Sequence, residues 1–223
     1  MTQTAHIVIV DPGAKVAELD AFNRLQQLTS CRLSYHLPAM FGMDSIEMLE
    51  VDIDAVVILG SACSVYDDDK WIAPLKSWTI SMIDSYVPVL GLCFGHQLVA
   101  DIMGCKIGFL NEDKKKLLGL REITFVDTKG FWKSHKKGQY IVSHRETVTD
   151  LGPDVEIFAK SKEVEFDGIR HKTKPIWGMQ SHPEAGPGFL KNQSIAVDHE
   201  TPFQSGQQFM ASFFKMIESK AKH

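Results

Sequence analysis

The stretch from Val89 to Gly104, VLGLCFGHQLVADIMG, carries an apolar run into a cysteine held between two glycines. Gly-x-Cys-x-Gly after such a run has the layout of a nucleophile elbow, where a strand turns sharply into a helix. Glycines at 91 and 95 give the neighbouring backbone and the following helix room to approach. Cys93 would then stand at the N-terminus of that helix, where the dipole stabilises negative charge on sulfur. The N–H of Phe94 would face an oxyanion forming on an attacked carbonyl. These parts suit acyl chemistry. A lone Gly-x-Cys-x-Gly also suits an inert cysteine buried at a strand end, and Cys31, Cys63 and Cys105, which lack this context, read that way.

A nucleophilic cysteine needs a base, and the base needs a group to orient it. Of the nine histidines, His182 ends a strand-like run (Ile176 to Ser181) and opens His182-Pro183-Glu184. On extended chain, residues i and i+2 face the same way, so Glu184 can accept a hydrogen bond from one ring nitrogen of His182 and leave the other for a thiol. Metal binding is the rival use of a His/Cys set, but no four ligands stand at usable spacing, so neither a metal nor a cofactor is expected. His96 follows Cys93 too closely to serve as its base and reads as a packing or hydrogen-bonding residue.

The elements that must position these groups are legible as alternating patterns. HIVIV (6–10), LSYHLP (33–38), AVVILG (55–60) and VPVLGLC (87–93) read as strands, most of them continuously apolar, as in a parallel sheet covered on both faces. Residues 14–29, 70–85 and 95–104 read as helices between them, which predicts α/β with right-handed crossovers. After residue 105, CKIGFL, LGLREITFV, QYIVSH, EIFAKS and VEFDGIRH follow one another closely, which predicts an antiparallel extension of the sheet. IWGMQSHPE (176–184) reads as a further strand, and residues 205–220 as a last helix with Phe209, Phe213 and Met216 on one face. With no repeat or linker in sight, residues 1–223 are expected to form one domain.

The 223 residues allow a sizeable core, with roughly 70% of the unfolded surface buried. Lys plus Arg is 24 against 28 Asp plus Glu, a net charge of −4, which argues against nucleic acid as a partner. Four scattered cysteines without a Cys-x-x-Cys pair suit reduced thiols and a cytoplasmic setting. No stretch reaches the ~18 apolar residues of a membrane helix, so no membrane partner is expected. Lys114-Lys115-Lys116 follows Glu112-Asp113 and reads as a solvated turn. Lys133 to Lys137 beside Phe131 and Trp132 reads as a solvated loop, with docking of an acidic partner as the alternative.

Gly91-Leu92-Cys93-Phe94-Gly95-His96-Gln97 with Gln180-Ser181-His182-Pro183-Glu184 resembles the triad-type class I glutamine amidotransferases. Leu59-Gly60-Ser61-Ala62-Cys63-Ser64-Val65-Tyr66-Asp67 resembles that family's oxyanion loop, in the style of the amidotransferase part of GMP synthase, and Ser143-His144-Arg145-Glu146-Thr147-Val148 resembles its Ser-His-Gly-Asp-x-Val segment. The resemblance runs over residues 6–214. It implies a flavodoxin-like α/β fold and a cytoplasmic enzyme in which Cys93 attacks the side-chain amide of glutamine, releases ammonia and forms a γ-glutamyl thioester. His182, held by Glu184, would protonate the leaving amine and then activate water. The N–H of Phe94 and one from Gly60 or Ser61 would meet the oxyanion. Gln97 and the groups around Ser143, His144, Arg145 and Glu146 would hold the amino-acid end of the substrate.

Two positions depart from the family pattern. The loop is Gly60-Ser61-Ala62 where Gly-Gly-Pro is usual, and Arg145-Glu146 stand where glycine and aspartate are usual. A guanidinium at the pocket edge could pair with an extra carboxylate, the alternative being an exposed arginine on a hairpin. With no Gly-rich phosphate loop visible, the chain is expected to be an amidotransferase unit whose ammonia goes to a separate synthetase. The alternatives are a stand-alone γ-glutamyl peptide hydrolase or transferase, and a catalytically silent binding protein of this fold.

Overall fold

In the strands His6–Val10 (β1), Ala55–Ile58 (β3) and Val89–Leu92 (β4), every side chain is buried. Alternation then splits each strand between two cores. Ile7, Ile9, Val57, Leu90 and Leu92 face one apolar cluster, and Val8, Val10, Val56, Ile58 and Val89 face another. The structure, a computed structural model, describes residues 4–127, 129–197 and 200–220.

The remaining strands are Arg32–His36 (β2), Lys106–Phe109 (β5), Leu117–Phe125 (β6), Lys137–His144 (β7), Glu146–Asp150 (β8), Val155–Lys160 (β9), Gly168–His171 (β10) and Ile176–Met179 (β11). Nine of them form one sheet in the order β2-β1-β3-β4-β11-β10-β9-β6-β7. The pairs from β2 to β11 are parallel, and those from β11 to β7 are antiparallel. The sheet is therefore mostly parallel in its N-terminal part with an antiparallel extension, as the strand spacing predicts. β5 and β8 pair apart from it as an antiparallel ribbon.

Helices Leu19–Gln26 (α1) and Thr201–Lys220 (α7) cover one face through Leu25, Phe209, Met210, Phe213, Phe214 and Ile217. Ile72–Asp84 (α4) and Phe94–Ile102 (α5) cover the other through Ile72, Leu75, Ile83, Leu98 and Val99. Two short helices, Pro38–Phe41 (α2) and Asp44–Glu47 (α3), and the seven-residue Pro187–Gln193 (α6) complete the chain. Among the described residues, no helix is long and apolar enough to cross a membrane.

Several boundaries differ from the sequence reading for local reasons. The first helix starts at Leu19 rather than at residue 14, because the backbone N–H groups of Gly13 and Glu18 both donate to the Asp11 carboxylate and wrap residues 12–18 around it. VEFDGIRH is strand only from Gly168, since Asp167 is turned inward to a salt bridge with Arg121. α2, α3 and α6 are too short to show a period. α2 and α6 each begin at proline, which suits the first helical turn. β8 (ETVTD) is short, with β-branched residues only at its centre, and one residue separates it from β7, so it does not stand out as a separate strand. Trp132, fully buried against Phe158, belongs to the core rather than to a docking face.

Candidate active site

β4 delivers Cys93 to the corner before α5. There Cys93 adopts φ 52° and ψ −101°, a left-handed conformation uncommon for a residue with a Cβ. Such strain costs about 1–3 kcal/mol and persists only where its surroundings enforce it. Two glycines do so here. A Cβ on Gly91 would lie 2.1 Å from Gly95 O, and one on Gly95 would lie 2.2 Å from Ile58 O, so backbone occupies the space at both positions. The Cys93 N–H donates to Met179 O at 2.9 Å, tying the corner to β11. The Phe94 N–H begins α5, where the helix itself supplies no acceptor.

β11 is the parallel neighbour of β4, with Met179 paired to Leu92. The chain leaves it at Gln180, and the His182 N–H donates to Ile141 O of β7 at 2.8 Å. His182 Nδ1 and Glu184 Oε1 are 2.8 Å apart. The approach differs in kind from extended alternation: Ala185 N–H donates back to His182 O, so a turn through Pro183 folds the carboxylate under the ring. The Phe189 ring packs 4.4 Å from the imidazole. Burial opposes charge on His182, but the charges of Cys93 and Glu184 outweigh it and raise its pKa to about 10. Imidazole and carboxylate are thus joined, with Cys93 near enough to act on the ring's charge, and each of the three is no more than 5% exposed.

The loop after β3 closes this group. A Cβ on Gly60 would meet His182 Cε1 at 2.6 Å and Cys93 Cβ at 3.4 Å, so glycine is required there by space. Ser61 is not among the left-handed residues, and its side chain accepts from the Cys63 N–H at 3.2 Å. A cavity of about 190 Å³ opens over Cys93, with Ser61, Gln97, Ser143, His144, Arg145 and Glu146 in its wall.

The one-residue connection between β7 and β8, which belong to different sheets, is pinned from behind. Gln97 Nε2 donates to Glu146 O at 2.8 Å and to Gln180 Oε1 at 3.3 Å. Both ring nitrogens of His144 are taken by the protein: Nε2 lies 2.9 Å from Arg121 Nη1, and Nδ1 lies 2.8 Å from Glu146 O. A guanidinium only donates, so Nε2 accepts and Nδ1 carries the proton. Burial and Arg121 lower the His144 pKa to about 3, consistent with that neutral ring. Arg121 in turn pairs with Asp167, both almost wholly buried, and burial lifts the Asp167 carboxyl to about 6 against the pull of Arg121. The Ser143 hydroxyl donates to Gln193 Oε1 at 2.9 Å, and Arg145, exposed, donates to Ala62 O at 3.3 Å.

Sequence reasoning passes over Arg121 and Asp167. A signal exists: Arg121 shares the inward period of two with Ile123 and Phe125 on β6, a charge in an apolar register. Lys114 and Lys116 are exposed, as the reading of a solvated turn has it, and they also border the cavity, which that reading does not include. Their position depends on the β5–β6 connection folding over the site, which no local pattern announces. His96 is fully buried and packs against Gly178, with its pKa lowered by burial to about 3. Cys63, Asp67 and Asp69 bring ligand atoms within 4.8 Å of one another, but they are three donors, short of a closed structural zinc site, and Asp67 already accepts the Ser64 N–H.

The family model for Glutamine amidotransferase class-I matches residues 21–198. A GMP synthase (glutamine-hydrolyzing) of Desulfotalea psychrophila is 28% identical over 197 residues, covering 83% of this chain and 35% of that protein. The chain thus spans little more than a third of that relative's length. A protein of Pyrococcus abyssi described as one subunit of a glutamine-hydrolyzing GMP synthase is 34% identical over 112 residues, 48% of this chain and 58% of its own. Among solved structures, a candidate GMP synthase subunit from Thermoplasma acidophilum superposes with a TM-score of 0.75 at 22% identity, over 99% of this chain and 97% of that one. A glutamine amidotransferase from Thermotoga maritima gives 0.72 at 15% identity, over 97% and 99%. At these identities the structural likeness is one of fold.

Proposed function

The chain belongs to the class I glutamine amidotransferase family, and from that premise we propose that residues 1–223 act as one amidotransferase unit that hydrolyses a γ-glutamyl amide through Cys93, His182 and Glu184. The Cys93 sulfur attacks the γ-carbonyl carbon of glutamine. The N–H of Phe94 and an N–H of the Gly60-Ser61 loop take the charge that collects on the oxygen. His182 gives its proton to the departing nitrogen, the C–N bond breaks, and ammonia leaves a γ-glutamyl thioester. The neutral imidazole then takes a proton from water, the hydroxide attacks the thioester, and glutamate departs as the sulfur is regenerated. Glu184 keeps Nδ1 engaged throughout, so only Nε2 exchanges protons with the reacting groups. Gln97 and the turn from Ser143 to Glu146 hold the amino-acid end of the substrate.

The observation that carries this reading is the strained corner at Cys93 beside an imidazole that two acidic neighbours keep charged. The relatives described as single subunits of a GMP synthase support a further step, in which the ammonia passes to a separate synthetase. The test is to incubate the purified protein with glutamine and with γ-glutamyl dipeptides and to measure released ammonia or amine. Release is expected from at least one of them, and Cys93→Ala should reduce it by roughly a thousandfold or more while leaving circular dichroism unchanged. Absence of release from every substrate by folded protein, or undiminished release by the variant, overturns the reading.

A further inference from the structure

Lys114 and Lys116, from the connection between β5 and β6, and Arg145, from the turn between β7 and β8, line the same cavity as Cys93. Among the described residues, none of the three is paired with a carboxylate, although their neighbours Lys115 and Lys106 pair with Asp113 and Asp150. Lys116 Nζ donates only to the neutral Gln193 Oε1, at 2.8 Å. Arg145 spends one Nη2 contact on the Ala62 carbonyl and leaves most of its donor fork free. Lys114 lies over the Phe109 ring, 4.6 Å from its centre. Burial lowers the Lys116 pKa, with the Cys93 charge acting against it and Arg145 adding to it, so this ammonium is within electrostatic reach of both. Glu146 is the one acidic residue in the described wall.

This wall holds more positive charge than glutamine can use. The glutamyl head carries one ammonium and one carboxylate, which Glu146 and a single cation would answer. At least one cation is left over, and unpaired like charges held close together repel until an anion joins them. We infer that the cavity selects γ-glutamyl compounds whose leaving amine carries its own carboxylate, with Lys116 and Arg145 as the specificity-determining cations. The inference rests on the γ-glutamyl reading above and names the substrate class: a γ-glutamyl amino acid or short γ-glutamyl peptide with a free C-terminus. The covalent steps are unchanged. The C–N bond breaks, His182 protonates the departing amine, and an amino acid leaves where ammonia otherwise would. The cations line a concavity over the sulfur, a place suited to a small molecule rather than to a folded acidic surface.

The test compares γ-glutamylglycine with γ-glutamylglycinamide, which differ by that one charge. Calorimetry on Cys93→Ala protein should show the acid binding roughly five- to tenfold tighter than the amide, a preference that weakens with added salt. Lys116→Met together with Arg145→Met should bring the ratio near one, and Lys116→Arg should keep it. Wild-type kcat/KM should show the same acid preference. Equal affinities, no binding of either compound, or a preference that survives the double change overturns the inference and leaves the cations to an acidic partner. If glutamine is still hydrolysed in those cases, the parent reading stands. Discrimination in binding with no turnover of anything sinks the parent reading and, with it, the substrate class built on it.

Discussion

His182 keeps its proton because Cys93 and Glu184 outweigh the cost of burying a charge. Removing the sulfur by Cys93→Ala takes away one of those two anions, so His182 should titrate at a lower pH, which NMR of the ring nitrogens reads directly. The sign carries into stability. A raised histidine pKa contributes stability that is full below the unfolded value near 6.5 and is lost as pH climbs towards about 10. Urea unfolding of the wild type should therefore weaken between those pH values more than that of Cys93→Ala, and an identical decline in both would contradict the pairing. At this scale the sequence is informative wherever chemistry is local. Gly91, Cys93 and Gly95 announce the corner because backbone contacts leave no space for a side chain at either glycine. The turn at Pro183, by contrast, hides behind a pattern that equally fits extended chain.

Among the elements, the junction of β7 and β8 forms one wall of the cavity and hangs on a buried chain of polar contacts: Asp167 to Arg121, Arg121 to His144, and His144 to the Glu146 carbonyl. Asp167→Ala leaves a guanidinium buried without its counter-ion, a change that typically costs about 3–5 kcal/mol. Denaturant unfolding should show that loss, and a change below about 1 kcal/mol would mean the pair is not holding the turn. Asp167→Asn, which keeps an acceptor, should lose less. This network is illegible in the sequence because its members come from β6, the loop before β10, the end of β7 and the start of β8. Only Arg121, misplaced in an apolar register, marks one end of it. The strands themselves are readable, since continuous apolar runs and close spacing distinguish the parallel half of the sheet from the antiparallel half.

On the scale of the whole molecule, α/β alternation predicts the two cores, but nothing local predicts that β11 inserts beside β4 instead of joining the far edge. That choice is global: it is where a strand ending in Met179 can be covered on both faces and still bring His182 towards Cys93. Loops such as 110–116 are placed by what they fold against, so Lys114 and Lys116 are the least predictable members of the cavity wall.

The pairing of β4 with β11 also orders events in time. The thiol and its imidazole meet only after two distant stretches of chain have found each other, and contacts of such long range tend to form slowly. If the proposed chemistry holds, the reactivity of Cys93 is expected to mature only with this pairing. Labelling of Cys93 by a glutamine-analogue electrophile during stopped-flow refolding should track the slowest phase of the native tryptophan fluorescence signal. Full labelling in the earliest collapsed state would show that nucleophilicity precedes the seam.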